Sequence, residues 1–436
     1  MSDMTQKDGT TRREFLKTAG VTAAGLLAAT AAAKSSVYAV QAPRVIGAND
    51  RINIGHIGIG GQGMAHVNIL KSNKQKNNTE SVAVCEVWDK RLNAAKDATE
   101  NTKCVTYKDY QKLLDSPDVD AVWIATPDHW HAKITIDAIN AGKDVYCEKP
   151  LCRHIDEVTS LYKTVKGSKR ILQIGSQGCS DTTYHVARDV VTAGKLGKLI
   201  WVQGSYCRNN PTGEWNWPID ESANETNLDW KMWLGPAPQR PWDPERYFRF
   251  RKYWDYSTGI LSDLFPHRLH PLMLALGTPE FPSRVACVGG NYVHTKDREV
   301  PDTTHVLVDF PSGYSMIIAG TVENEYGLGD VIRGNKATLL LAGGSVELRP
   351  ERVYADEIEA EKPPVNGPGE DIGVHESNFL DCMRSRKEPN CNIDLAAPVQ
   401  AVICLAEMAY KQNKQMGFDA KTMQVVQDPK PVQVTA

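Results

Sequence analysis

The sequence has no long basic run, and neither sign of charge predominates. Lys and Arg total 50 and Asp and Glu total 53, which gives a formal net charge of −3 over 436 residues. A nucleic-acid partner therefore has little electrostatic support. The sequence contains no internal repeat. Its 41% hydrophobic content is typical of a globular protein and excludes wholesale disorder. The length predicts two or three domains.

The ten cysteines include no Cys-x-x-Cys pair, and their spacing excludes a zinc ribbon. Cys85, Cys147, Cys287 and Cys404 lie within apolar runs. A free cysteine behaves as a small hydrophobic residue, so we expect buried thiols at these positions.

The N-terminus has the layout of a secretory signal. Arg12 and Arg13 precede Phe-Leu-Lys, an Ala-rich stretch follows over residues 18–33, and a small-x-small site ends at Ala39. The paired arginines indicate the twin-arginine (Tat) route. We expect residues 1–39 to direct export, so that the protein is periplasmic or otherwise exported. The apolar stretch is too short for a stable membrane span, which needs about 20 apolar residues.

From residue 51 onward, short apolar strands alternate with helices, which indicates a parallel, doubly wound sheet. Beyond about residue 197 the strands follow one another closely, which indicates an open, mostly antiparallel sheet. The predicted fold class is therefore α/β with a second, α+β part. The expected strands are 52–59, 82–86, 121–125 and 145–147, then 199–206, 284–288, 304–310, 314–321, 337–341 and 345–348. The expected helices include 107–114, 379–383 and 398–412.

A glycine-rich turn joins the first strand to the first helix. Gly58, Gly60 and Gly63 fit the G-x-G-x-x-G pattern, in which the glycines allow a tight turn, approach of a pyrophosphate and close helix packing. Gly61 and Gln62 stand where free N–H groups would meet the phosphates. Glu86 ends the second strand and is expected to hold the ribose hydroxyls. It would repel a 2′-phosphate, so NAD is favoured, although Lys90 and Arg91 leave NADP open.

Two further segments end strands at the carboxyl edge of the sheet, where such folds bind ligands. Thr126, Pro127 and His131 follow one strand, and Glu148 and Lys149 follow the next. We expect all five to contact the cofactor. The Lys149 ammonium could also orient a substrate hydroxyl and stabilise negative charge on its oxygen. The alternative for Lys149 is a solvated lysine at a strand end.

These motifs resemble those of the glucose–fructose oxidoreductase / inositol dehydrogenase (Gfo/Idh/MocA) family. The matching segments are residues 58–63, 125–131, 144–151 and 254–267, and residues 229–238 resemble its exported branch. The resemblance extends over about residues 50–415. It implies a nicotinamide cofactor, a carbohydrate or cyclitol substrate, and dimer contacts through the open sheet, hence a homo-oligomer. The predicted domain limits are a linker over residues 40–50, an NAD-binding Rossmann domain over 51–175, a substrate domain over 176–415 and a C-terminal tail over 416–436.

Asp263 and His267 match the catalytic pair of the family. The resemblance implies that His267 takes a proton from a sugar hydroxyl while Asp263 binds substrate or orients the imidazole. The segment departs from the family pattern at Thr258, Phe265 and His270. Asp263, His267 and His270 together have ligand types that suit zinc. No H-E-x-x-H signature accompanies them, and we predict no metal.

Aromatic residues are concentrated in one region, since seven of the ten tryptophans lie between Trp201 and Trp254. Flat rings can stack on the C–H faces of a sugar while polar neighbours bind its hydroxyls. Ordinary packing is the alternative. The predicted substrate contacts are Arg208, Trp215, Trp217, Tyr256 and His270.

The sequence thus predicts an NAD-dependent oxidoreductase that acts on a hydroxyl of a sugar, glycoside or cyclitol. NAD is not freely recycled outside the cytoplasm, so export favours a cofactor that stays bound. One alternative is a redox-neutral glycosidase or lyase that oxidises a hydroxyl transiently, eliminates an aglycone and returns the hydride. Another is a sugar-binding protein without activity.

Overall fold

The computed structural model describes Gly47 and residues 50–432. The predicted export signal, residues 1–39, lies outside the described residues, as do most of the linker and the last four residues. Within the described residues the chain forms two sheets that pack with their helices into one unit.

The first sheet has six strands in the order β3-β2-β1-β4-β5-β6, and every pair is parallel. The strands are β1 (Ile52–Ile57), β2 (Thr79–Cys85), β3 (Val105–Tyr107), β4 (Ala121–Ile124), β5 (Asp144–Glu148) and β6 (Leu172–Gly175). The associated helices are α1 (Gly61–Ser72), α2 (Lys74–Asn77), α3 (Asp89–Ala98), α4 (Tyr110–Leu114), α5 (Asp128–Asn140) and α6 (Ile155–Lys166). The predicted doubly wound parallel sheet is confirmed.

The second sheet has nine strands in the order β13-β12-β11-β7-β10-β9-β8-β14-β15. The strands are β7 (Leu199–Cys207), β8 (Arg284–Gly290), β9 (Thr303–Asp309), β10 (Ser315–Thr321), β11 (Asp330–Gly334), β12 (Ala337–Ala342), β13 (Ser345–Pro350), β14 (Met416–Asp419) and β15 (Gln424–Gln427). Its neighbouring strands are antiparallel except for β7 beside β10. The predicted mostly antiparallel sheet is confirmed.

Several elements were not predicted from the sequence pattern. Residues 107–114 were expected to form one helix, but the chain forms the three-residue strand β3 and then α4, which Asp109 caps by accepting the Gln111 N–H at 2.9 Å. A strand this short shows no periodicity. Residues 416–427, expected in a tail, form β14 and β15, and β14 joins the sheet edge at β8.

The remaining helices cover both sheets. They are α7 (Thr182–Thr192), α8 (Trp230–Leu234), α9 (Pro244–Phe248), α10 (Pro266–Ala275), α11 (Ile372–Ser385) and α12 (Ile393–Gln412). Although α11 is distant in sequence, its Phe379 and Met383 share a core with Trp123 and Tyr146 of the first sheet. Among the described residues, one helix, α12, is long and apolar enough to cross a membrane, and 83% of its most apolar stretch is buried inside the protein.

The cysteines are free thiols in the structure. Cys85, Cys147 and Cys404 are buried, which confirms the sequence prediction for these three. Cys287, on β8, is only partly buried.

Candidate active site

A cavity of about 820 Å³ opens at the carboxyl edge of the first sheet and extends toward the second sheet. Most of the predicted site residues line it. These are Gly58, Gly60, Gly61, Gln62, Glu86, Thr126, Pro127, His131, Glu148, Lys149, Arg208, Trp217, Asp263 and His267. The turn, both strand-end motifs and the α10 motif therefore meet in one place.

The glycine turn leaves room for a ligand on its cavity side. A Cβ at Gly63 would lie 2.0 Å from the Gly58 carbonyl oxygen, so this glycine is needed for close packing of α1 on β1. By contrast, a Cβ at Gly61 would have no atom within 4 Å, and one at Gly60 would have only Arg91 Nη1, at 4.0 Å. The hydroxyl of Thr126 is buried without a hydrogen-bond partner among the described residues and lies on the same wall. These features fit a dinucleotide whose pyrophosphate lies at the start of α1.

Glu86 stands beside this turn, but its oxygens already have partners. Oε2 accepts the Ile59 N–H at 2.7 Å, and Oε1 accepts the Trp88 N–H at 3.0 Å. Arg91 lies close by, with its guanidinium 5.2 Å from the Trp88 ring centre. Glu86 thus fixes the shape of the turn. Its predicted contact with a ribose stays a prediction.

His131 connects the two strand-end motifs. Its Nδ1 lies 2.6 Å from the Pro150 carbonyl oxygen and its Nε2 lies 2.8 Å from that of Thr126. Two acceptors are both satisfied only when both ring nitrogens carry protons. Burial opposes the charged ring, but neighbouring Cys147 and Asp128 and the Pro150 carbonyl raise the pKa of His131 to about 10. His131 therefore holds the two strand-end motifs together through both of its ring nitrogens.

Glu148 is held from the opposite side by α1. Its Oε1 lies 2.9 Å from His66 Nε2 and accepts the Gln62 Nε2 amide at 3.1 Å. The other His66 nitrogen lies 2.6 Å from Glu376 Oε1 on α11. Burial alone would lower the pKa of His66, but the two carboxylates outweigh it and raise the pKa to about 9. This chain of contacts fixes the backbone from which Lys149 projects.

Lys149 and Asp263 form the centre of the site. Lys149 Nζ donates to the carboxylate Oδ1 of Asp263 at 2.7 Å and to its carbonyl oxygen at 2.8 Å. Arg251 Nε also donates to Oδ1, at 2.9 Å, and Trp215 Nε1 donates to Oδ2 at 2.9 Å. Burial would raise the pKa of Asp263, yet Arg251 and Lys149 hold it well below its usual range. Asp263 is therefore an ionised anchor that aims the Lys149 ammonium.

His267 lies in the helix that follows Asp263 along the chain. Asp263 belongs to a π-helical turn (Ile260–Leu264), and His267 to α10, which begins at Pro266 and contains Pro271. The His267 ring lies 5.2 Å from that of Tyr206. Burial, and then the charge of Lys149, lower its pKa to about 3. The imidazole is therefore neutral near pH 7 and has a lone pair available for a proton.

Three residues predicted to contact the substrate are buried and do not line the cavity. Trp215 is 1% exposed and packs beneath Asp263, because its indole N–H satisfies that carboxylate. Tyr256 is fully buried against His129 and Trp233. His270 is 1% exposed, on a side of α10 that faces the core. Of the predicted substrate residues, Arg208 and the half-exposed Trp217 reach the cavity wall.

Other residues of the site carried no recognisable signal in the sequence. Tyr206 is the last residue but one of β7, Gln177 lies in a short turn after β6, and Glu370 follows a Pro/Gly-rich loop, yet all three line the cavity. Arg251 lies within the aromatic-rich region, and no motif in the sequence marks it. Among residues 50–432 and Gly47, no cluster of three or more His, Cys, Asp or Glu side chains is arranged to hold a metal ion.

Comparison with known families agrees with this geometry. Residues 52–176 match the family model of the oxidoreductase family, NAD-binding Rossmann fold, and residues 186–435 match the model of its C-terminal alpha/beta domain. The chain belongs to the Gfo/Idh/MocA oxidoreductase family. The resemblance to the family is thereby confirmed, together with the NAD-binding Rossmann fold, whereas the likeness to its exported branch stays a prediction.

Three individual relatives share 30% identity or less with this chain. Inositol 2-dehydrogenase of Salmonella typhimurium is 30% identical over 192 residues, which cover 42% of this chain and 54% of that protein. A glycosyl hydrolase family 109 protein of Shewanella sp. is 25% identical over 238 residues, 51% of this chain and 50% of that protein. The chain thus spans about half the length of the curated relatives it matches. The structure of levoglucosan dehydrogenase with NADH and levoglucosan superposes with a TM-score of 0.62 at 19% identity, covering 87% of this chain and 100% of that one.

Proposed function

We propose that the protein is an NAD-dependent oxidoreductase that acts on a hydroxyl of a sugar, glycoside or cyclitol. The observation that carries the proposal is the meeting, in one cavity, of the glycine turn with the Lys149 ammonium and the neutral His267 imidazole. The names of the relatives, an inositol dehydrogenase and a levoglucosan dehydrogenase, support a polyhydroxylated substrate.

The residues of the site divide the chemistry between them. When bound, NAD⁺ supplies the acceptor for the hydride that leaves the substrate carbon. The turn from Gly58 to Gly63 holds the diphosphate. Lys149, fixed by Asp263, directs its ammonium at the reacting oxygen and stabilises the developing alkoxide. His267 accepts the hydroxyl proton. Arg208 and Trp217 contact the rest of the substrate.

The cavity also suggests why the cofactor would stay bound. Residues 208–259, here called the covering segment, lie between β7 and the π-helical turn and contribute much of the cavity wall. They are hydrogen-bonded to the chain just after β2, since the Asp229 N–H donates to the Val87 carbonyl at 3.1 Å and the Asp89 N–H to that of Asn227 at 3.0 Å. Trp88 packs into the same aromatic cluster as Trp230 and Trp233. Release of a dinucleotide would require this segment to move.

A second candidate is the redox-neutral glycosidase, which the likeness to the family 109 glycosyl hydrolase supports. Both candidates share the first oxidation step. They differ in their products, because a net oxidoreductase leaves reduced cofactor and a ketosugar, whereas the glycosidase releases an aglycone and returns the cofactor to NAD⁺.

We further propose export by the Tat pathway to the periplasm, on the basis of Arg12, Arg13 and the small-x-small site at Ala39. The domain limits 51–175 and 176–415 are also a proposal. A homo-oligomer through the second sheet is supported by apolar side chains on its open face, where Val288 and Leu307 are 65% and 54% exposed. Charged substitution of both residues should lower the mass in solution if they are an interface.

The proposal is tested by native mass spectrometry of the purified protein followed by incubation with a panel of sugars, glycosides and cyclitols. We expect bound NAD, and nicotinamide reduction with at least one member of the panel. A protein that binds neither NAD nor NADP, or binds it without turnover on any member, would overturn the oxidoreductase proposal and favour a sugar-binding role.

A further inference from the structure

Glu370 borders two cavities at once. It lines the active-site cavity and also a second, more open cavity of about 690 Å³. Gln177 and Ile372 are the other residues common to both walls. The rest of the second cavity is formed by the end of α1 and the start of α11. The Glu370 carboxylate therefore lies between the buried active site and a cavity that water can enter.

Glu370 faces the imidazole of His267. Its Oε1 lies 3.8 Å from His267 Nδ1, and the two side chains are 38% and 12% exposed respectively. This distance is too long for a direct hydrogen bond. Catalytic hydrogen bonds are often long before substrate binds, and one water or a small rotation would close the gap. A carboxylate on this side favours the tautomer with hydrogen on Nδ1, which leaves the Nε2 lone pair as the proton acceptor.

The charges around the pair suit proton transfer from His267 to Glu370. Lys149, Asp263, Glu148 and Arg208 face His267, and burial together with Lys149 lowers its pKa to about 3. Arg268, Asp181 and Gln177 face Glu370, whose pKa is raised, chiefly by burial. A protonated His267 is thus a strong acid beside a carboxylate that accepts protons more readily than usual.

We propose that Glu370 positions His267 and relays its proton to solvent. The proposal rests on the oxidoreductase function above. The substrate O–H bond breaks as an N–H bond forms at Nε2. The Nδ1–H bond then breaks as an O–H bond forms on Glu370, which afterwards releases the proton to water in the second cavity. The two electrons of the broken C–H bond leave with the hydride to NAD⁺, so charge and atoms balance.

The test compares Glu370→Gln, which keeps the size of the side chain, with Glu359→Gln, an exposed carboxylate that lines neither cavity. One readout is the tautomer of His267 in ¹⁵N-histidine-labelled holoenzyme, assigned with His267→Asn. The other is the single-turnover rate of nicotinamide reduction against pH, using a substrate found in the panel. Bound NAD is quantified in every variant.

We expect Glu370→Gln to retain NAD, to shift His267 toward the Nε2–H tautomer and to lower the rate about 10²-fold, at the low end of the range for proton-transfer groups. The wild-type rate should fall as the pH drops through the raised pKa of Glu370, because a neutral carboxyl accepts no proton. Glu370→Gln should lack this acid limb. An unchanged tautomer, rate and pH profile would overturn the relay. If wild-type protein reduces no NAD with any substrate, the oxidoreductase function fails, and the tautomer alone decides whether Glu370 positions His267.

Discussion

Lys149 and His267 are expected to serve a single transition state. Lys149 Nζ is held at 2.7 Å from Asp263 Oδ1, and the neutral His267 imidazole lies on the same cavity wall. We expect Lys149→Ala and His267→Ala each to slow single-turnover nicotinamide reduction by about 10²–10⁴-fold, with bound NAD retained. The losses should be less than additive in the double variant, because both groups stabilise one charge separation. A rate near wild type in either single variant would remove that residue from the mechanism.

Gly60 offers a test of the cofactor turn that leaves the fold intact. Its nearest Cβ contact would be Arg91 Nη1 at 4.0 Å, so a larger side chain displaces no protein atom and occupies the space assigned to the pyrophosphate. We expect Gly60→Val to lose its NAD and to melt at the temperature of wild-type protein from which NAD has been removed. Gly329→Val is the matched control, since a Cβ there also meets nothing within 4 Å but lies outside this cavity. Normal NAD content in Gly60→Val would contradict the assignment of this turn.

At the scale of elements, the covering segment is fastened by an ion pair between Lys90 and Asp220 at 2.5 Å. Exposed pairs of this kind contribute little to stability, so reversal of one charge should loosen the segment without unfolding it. We expect Asp220→Lys to raise the rate of NAD release about fivefold in a chase with unlabelled NAD. The neighbouring, exposed Glu221 does not line the cavity, so Glu221→Lys controls for the change in net charge. Equal release rates in the two variants would mean that the segment does not gate the cofactor.

Local motifs explain why part of the site was predictable from sequence. The glycine turn and the strand ends that carry Glu148 and Lys149 depend on short stretches of chain whose patterns are visible directly. The contacts that fix them are not local. His66 and Glu376 are 310 residues apart, and Glu370 follows a loop with no recognisable signal. The tryptophans show the opposite case. Composition suggested that they form a wall for a sugar, whereas the fold uses three of the seven, Trp230, Trp233 and Trp242, to pack the covering segment against Trp88.

At the scale of the whole molecule, buried histidines make stability depend on pH. Burial lowers the pKa of His56 and His270 to about 3, and that of His129 and His375 to about 4. Below pH about 6.5 the unfolded chain binds protons at these positions while the folded chain does not, so stability falls as the pH drops toward 4. The raised pKa of His66 has the opposite effect, since its contribution is complete below about 6.5 and is lost as the pH rises through about 9. The free energy of unfolding is therefore expected to be greatest between the acidic range, in which these four histidines lower it, and the alkaline range, in which the contribution of His66 is lost.

The contribution of a single buried histidine to the loss of stability at low pH can be measured. A group whose folded pKa lies well below its unfolded value contributes up to about 1.4 kcal/mol of lost stability per pH unit between the two values. We expect the free energy of unfolding of wild-type holoenzyme, from denaturant titrations, to fall steeply between about pH 6.5 and about pH 5. Glutamine does not titrate, so His270→Gln should remove the contribution of one histidine to the dependence of the free energy of unfolding on pH. This change in slope does not depend on how the substitution alters the stability itself. His305→Gln, at an exposed position on β9, is the matched control for the substitution itself. An identical slope in His270→Gln would show that His270 takes up its proton equally in the folded and unfolded states.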